Sequence, residues 1–157
     1  MTAALLASGV ATLLADEITF QADIDELLGF PVSNVLTSNR PLAQIPANLF
    51  PCFVIEQDDG EASSAETDGD EGLTIGCGEQ TFRSRLLVSL VWTDQDNDRA
   101  GVARATLPEI FTRLLLRNPQ PGGVLGAWLS QWQPDKGVNH PLQIWRATIT
   151  SHYTVTR

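Results

Sequence analysis

Residues 81–93 read TFRSRLLVSLVWT, and this stretch decides the fold. Phe82, Leu86, Val88, Leu90 and Trp92 recur at even spacing, so an extended chain puts them on one face. Thr81, Arg83, Arg85, Leu87, Ser89 and Val91 take the other. The alternation of apolar and polar residues is clean at first and then becomes apolar on both sides. Such a strand is half solvated at its start and covered on both faces towards its end.

A second long strand reads at residues 142–157. Trp145, Ala147, Ile149, Tyr153 and Val155 face one way, with Gln143 and Ser151 as polar exceptions. Arg146, Thr148, Thr150, His152, Thr154 and Thr156 face the other way, which makes that side wet or partner-facing. Residues 50–56 (FPCFVIE) predict a shorter strand, with Pro51 near its start, where a lost donor matters least.

Helical spacing appears in two places. Leu6, Val10, Leu13 and Leu14 form one stripe over residues 3–18, with Thr2 placed to cap it. The acids of residues 94–98 begin a helix that runs to about Arg117, with Leu107, Ile110, Phe111, Leu114 and Leu115 on its apolar face. Pro108 removes a hydrogen bond inside it. Either the helix kinks there, or a new one begins with Thr106 as cap and Glu109 completing a capping box. Residues 118–123 (NPQPGG) end the helix. Residues 19–50 read as irregular, apart from one helical turn ending at Gly29, and residues 124–132 as a short helical piece. The order predicts an α+β fold in one domain spanning 1–157, with an antiparallel sheet packed by two main helices on one face.

Charge is unevenly placed. The 157 residues carry a net charge of −9, and residues 56–79 hold nine acids with no Lys or Arg. The remainder balances at 10 acids against 10 bases. Residues 57–72 (QDDGEASSAETDGDEG) predict a mobile acidic loop at the tip of a long hairpin. Such a segment repels phosphates, which disfavours sequence-independent DNA gripping. Asp58, Asp59, Glu61, Glu66, Asp68, Asp70 and Glu71 are therefore candidates for a surface facing a partner or a channel.

Chemistry finds little support. Asp94, Asp96 and Asp98 have the spacing of a calcium loop, but Arg99 and Ala105 stand where that loop needs Gly and Glu. His140 and His152 have no nucleophile placed by a motif, and no GxSxG, HExxH or phosphate-cradling glycine loop occurs. No catalytic residue, metal ligand or cofactor is expected. Cys52 and Cys77 predict two reduced, buried thiols rather than a disulfide framework. The apolar residues 3–15 are too short to span a bilayer and lack a basic leader, so no membrane partner and a cytosolic protein are expected. Trp92 and Trp145 fit core faces. Trp128 and Trp132 fit either core or interface anchors.

Four segments in order carry a family resemblance: residues 46–61 around LFPCFVIEQDDGE, 82–94 (FRSRLLVSLVWTD), 114–123 (LLLRNPQPGG) and 141–157 (PLQIWRATITSHYTVTR). Together they resemble the tail terminator (tail completion) proteins of long-tailed bacteriophages. The resemblance implies a hexameric ring at the head-proximal end of the tail tube. It implies a tail tube protein on one side, neck or head-completion proteins on the other, and DNA passing through the lumen without specific binding. It also implies a location in the virion, after assembly in the host cytoplasm. Interface roles then fall, on physical grounds, to Trp128, Trp132, Arg146, Thr148, Thr150, His152 and Thr154. The alternatives are a neck or tail-tube protein, or a monomeric acidic adaptor.

Overall fold

A computed structural model describes residues 3–37, 42–57, 61–62, 79–134 and 139–156. Its elements are helices α1 (Ala3–Asp16), α2 (Ile18–Leu28) and α3 (Asn97–Arg117), and strands β1 (Asn34–Leu36), β2 (Cys52–Gln57), β3 (Glu61–Ala62), β4 (Glu79–Thr93), β5 (Gly126–Pro134) and β6 (Leu142–Thr156). The sheet runs β1-β2-β4-β6-β5, and β3 adds to β4 beside β2. The α+β class is as the sequence predicts.

The two long strands form the centre. β4 and β6 pair antiparallel over their whole length, from Glu79↔Thr156 to Thr93↔Leu142. This register sets Leu86, Val88, Leu90 and Trp92 beside Ile149, Ala147, Trp145 and Gln143 on one face. All three helices contribute to the core on that face, through Leu6, Val10 and Leu14 of α1, Phe20 and Ile24 of α2, and Leu107, Phe111 and Leu114 of α3. Phe111 is the hub. Its ring lies 5.3 Å from Phe20, 6.1 Å from Phe53 and 4.8 Å from Trp145, centroid to centroid. One side chain thus joins α3 to α2, β2 and β6, with the tilted and edge-on geometry that aromatic quadrupoles favour.

The two-sided end of β4 is covered as its pattern requires. On the face away from the helices, Ile45, Cys52, Val54 and Val91 form a second small core, flanked by Leu49, Phe50 and Ile144. Two 3-10 turns, Leu42–Gln44 and Ala47–Leu49, lie in the segment that supplies this cover. Cys52 is a buried free thiol, and burial pushes its pKa up. Cys77 lies outside the described residues, as do Thr2 and the acidic positions Asp58, Asp59, Glu66, Asp68, Asp70 and Glu71.

Several expectations are corrected. Among the described residues three helices pack the sheet, where the sequence predicted two. Residues 18–28 form a full helix, because the Glu17 carboxylate accepts from the Phe20 amide at its start and Gly29 closes it at φ 80°. A scan for one long stripe misses it because only Phe20, Ile24 and Leu28 of its residues are buried. The sheet is mixed, since β1 pairs parallel with β2. Residues 126–134 form strand β5, not a helical piece, because the free edge of β6 offers them a ladder. α3 runs unbroken through Pro108, and Thr106 is interior, its hydroxyl donating to the Val102 carbonyl. The true cap is Asp96, whose side chain accepts from the Asp98 and Arg99 amides at 3.0 and 3.1 Å.

A polar corner fixes α3 to the strands. Asp94, buried after the end of β4, accepts two bonds from Arg99, at 2.9 Å from Nε and 2.7 Å from Nη2, and one at 2.8 Å from the Asp96 amide. Gln143, fully buried on β6, donates to the Asp94 carbonyl and to Asn97, and accepts from Arg104. This explains the polar exception on the core face of β6. It also disposes of the calcium spacing, because the carboxylates of Asp94 and Asp96 are occupied by protein donors. At the other end of α3, Arg117 pairs with Glu17 at 3.0 Å.

Two tests follow from this packing. A Cβ on Gly9 would stand 2.2 Å from the Gly122 amide nitrogen, where α1 rests backbone to backbone on the Pro121–Gly123 turn. Gly9→Ala is expected to destabilise the fold by about 3 kcal/mol. Gly101→Ala, on α3 with its nearest neighbour at 3.9 Å, is expected to add up to about 1 kcal/mol. Thermal or denaturant unfolding of both variants checks the contrast. The second test concerns Asp94, whose carboxyl Arg99 holds below the usual carboxylate range. A lowered folded-state pKa means its contribution is complete at neutral pH and is lost as pH falls through that lowered value. Asp94→Asn is expected to cost about 1–3 kcal/mol at neutral pH and to reduce the loss of stability on acidification, read by denaturant unfolding across the acid range.

Candidate functional site

The helix-free face of the sheet divides in two. Its β2 end is roofed by the segment carrying Ile45 and Leu49. Its other half, over β4, β6 and β5, has no such roof among the described residues. There β4 presents Arg83 and Arg85, β6 presents Arg146, Thr148, Thr150 and His152, and β5 presents Trp128, Ser130 and Gln131. A groove of about 340 Å³ runs between these strands, lined by Arg83 and Arg85 on one side, Trp128, Ser130 and Gln131 on the other, and Thr148 and Thr150 along the floor.

The wall on β5 depends on one extra residue. The ladder to β6 pairs Trp128 with Thr150 and Leu129 with Ile149, then resumes with Gln131 at Thr148 and Trp132 at Ala147. Ser130 is the unpaired residue of this β-bulge. Its hydroxyl donates to the Thr148 carbonyl at 3.1 Å and accepts from the Thr150 hydroxyl at 2.8 Å. Residues four apart on a regular strand share a face. Here the bulge sends Trp128 to the groove side and Trp132 to the helix side. Trp128 is 41% exposed and Trp132 51%, whereas Trp92 and Trp145 are fully buried.

Polar contacts organise the upper groove. The Trp128 ring meets His152 edge-on at 5.2 Å. His152 stands across the ladder from Arg83, whose Nε donates to its Nε2 at 3.5 Å. The groove-side surface between the Thr81↔Thr154 and Ser89↔Arg146 pairs carries Arg83, Arg85, Arg146 and His152, and no carboxylate from β4, β5 or β6. In the ladder, Glu56 of β2 stands opposite Leu87, and Glu61 of β3 opposite Arg83.

The sequence candidates fare unevenly. The face that unites Trp128, Arg146, Thr148, Thr150 and His152 exists, and Thr154 continues it in register, opposite Thr81. Thr150 is 4% exposed, so it is floor rather than contact surface. Trp132 lies on the opposite face and is separated from the rest. Of the acidic candidates, Glu61 is placed in β3 and the others fall outside the described residues. Arg83, Arg85, Ser130 and Gln131 are additions. The alternation of residues 81–93 already placed both arginines on the second face. Ser130 carried no signal, because a bulge depends on the partner strand. His140 sits apart, its Nε2 3.1 Å from the Gln95 carbonyl oxygen.

No protein-family model matches the chain. No curated protein sequence is similar to it either. Among solved structures, the fold is similar to a chain of the "Virion of native gene transfer agent (GTA) particle", with TM-score 0.55 and 11% identity, over 96% of this chain and 98% of that one. At that identity the likeness is one of fold.

Proposed function

We propose that this chain is a structural protein of a phage-like virion, and within it a tail terminator. In this role it forms a ring on the head-proximal end of the tail tube, stops further addition of tube subunits and docks the neck or head-completion proteins. The observation that carries the reading is the end-to-end correspondence of fold with a chain of a gene transfer agent virion, covering almost all of both chains. The resemblance of four sequence segments to tail terminators supplies the finer assignment.

The architecture suits a ring physically. β5 is the last strand of the sheet order, and β1 is the first. Their outer edges differ in length and sequence, so a contact between β5 of one copy and β1 of the next would be head to tail. Unlike surfaces that meet head to tail close into rings when the rotation allows it. A protein that halts polymerisation must also bind the tube end better than it binds its own stacked copies. The roof over one half of the sheet and the open polar surface over the other give it two chemically different sides.

Light scattering after gel filtration, with negative-stain imaging, tests this. Rings of about six times the 17.1 kDa chain mass, or monomers that become rings on tube ends, are the expected result. Trp132→Glu on the edge strand is expected to reduce assembly while changing monomer stability by less than about 1 kcal/mol. Open tubes that lengthen with concentration would identify a tube protein instead. A strict monomer that neither caps tubes nor binds neck proteins would leave the acidic adaptor in front.

A further inference from the structure

We propose that the subunits join through the two end strands of the sheet: residues 131–133 of β5 take strand β1 (Asn34–Leu36) of an adjacent copy as an antiparallel neighbour, with Val35 standing opposite Trp132. The inference rests on the ring reading and names the contact that links one subunit to the next.

Three observations carry it. The first is the charge pattern of the strands. An end strand presents N–H and C=O groups that another chain can pair with, and monomeric proteins guard such edges with charged side chains. Here the pattern is inverted. β2 carries Glu56, β3 Glu61, β4 Glu79, Arg83 and Arg85, and β6 Arg146, whereas the two end strands, β1 (NVL) and β5 (GAWLSQWQP), carry no charge. Two neutral edges meet without burying an unpaired charge. The second observation is exposure and length. Ser130, Gln131, Trp132 and Gln133 are exposed in succession. Successive residues of a strand face opposite sides, so β5 is open on both sides here. The first half of β5 is engaged already, because the Ala127 amide donates to the Pro119 carbonyl at 3.0 Å. Pro134 has no N–H to give and closes the strand. Between the bulge at Ser130 and Pro134 lie residues 131–133, a regular stretch that matches the 3 residues of β1. The half-exposed Trp132 at its centre is the kind of side chain that anchors interfaces.

The third observation is direction and face. β5 is antiparallel to β6, β6 to β4 and β4 to β2, while β1 is parallel to β2, so β1 runs opposite to β5. Copies related by rotation about an axis along the strands keep these directions. β5 of one copy then meets β1 of the next as an antiparallel pair, in a head-to-tail contact that a closed ring repeats. Paired residues of such a ladder share a face. Val35 pairs with Phe53 and packs on the helix-side core, and Trp132 pairs with Ala147 on that same side. Leu36 packs on the small core of the other face, and Asn34 donates to the Leu49 carbonyl there. Gln131 and Gln133, opposite Thr148 and Arg146, lie on that face too. Setting Val35 opposite Trp132 therefore sets Leu36 opposite Gln131 and Asn34 opposite Gln133, and all the pairs match in face. A slip of one residue breaks every match.

Cross-linking tests the register. In a Cys77→Ser background the native thiol left is Cys52, which is buried. There, Asn34→Cys with Gln133→Cys is expected to oxidise into covalent oligomers up to the full ring, because opposed Cα atoms stand about 4.5–5.5 Å apart. Thr37→Cys with Gln133→Cys, out of register, is expected to stay uncross-linked under the same conditions. Edge charge tests the contact independently. Gln131→Lys with Gln133→Lys is expected to lower ring formation by about tenfold, with circular dichroism and unfolding showing a folded subunit. Adding Asn34→Glu to that protein sets an opposite charge across the joint and is expected to restore part of the loss.

The outcomes separate the two readings. Rings that form but do not cross-link between positions 34 and 133, or that form normally from the lysine protein, overturn this contact and leave the ring intact. Open chains that cross-link at this pair retain the contact and remove the ring. Dimers cross-linked through Gln133→Cys alone reveal a two-fold contact between β5 strands and overturn the choice of β1. A chain that stays monomeric and uncross-linked at every concentration overturns both readings.

Discussion

The antiparallel ladder between β4 and β6 is the constraint on which the rest of the molecule depends. Its register is continuous from Glu79↔Thr156 to Thr93↔Leu142. Because side chains alternate across a sheet, this one register assigns every residue of both strands to a face. A slip of one residue would turn Trp145 and Ile149 away from the helices and bring Arg146 and Thr150 against Phe111. The cost of burying those polar groups makes the register unique. The core, the roofed end and the open groove are all consequences of it.

The helices respond to that sheet rather than define it. α3 is anchored at its start by the Asp94, Arg99 and Gln143 corner and at its end by the pairing of Arg117 with Glu17. Between these anchors Phe111 reaches three other aromatic rings. α1 is held differently, by backbone contact between Gly9 and Gly122 that leaves no room for a side chain. The turn that ends α3 therefore also positions α1. This is why residues 118–123 matter beyond stopping a helix.

The three described helices lie on one face, so among the described residues other segments cover the opposite face. The 3-10 turns cover the apolar end, where β2 and β4 bring Cys52, Val54 and Val91 together. Beyond that cover the surface becomes cationic, hydroxyl-rich and aromatic. The roofed apolar end and the polar half give this face two unlike regions.

Much of this was written in the sequence. The period-two alternation of residues 81–93 and 142–157 determined both long strands, their buried faces and the change to two-sided burial near Val91, because alternation and burial are local properties of a strand. The spacing of Leu107, Ile110, Phe111 and Leu114 determined the main helix, and composition determined where the negative charge lies. Other features belong to the tertiary structure. Residues 126–134 became a strand because β6 presented an unpaired edge, and a hydrogen-bonding partner is not encoded in local spacing. The bulge at Ser130 separated Trp128 from Trp132, which no helical or strand period would do. α2 depends on a Glu17 cap and three buried contacts rather than on a long stripe. The groove itself exists only where three strands, distant in sequence, are brought side by side, so its arginines were legible as residues and its shape was not.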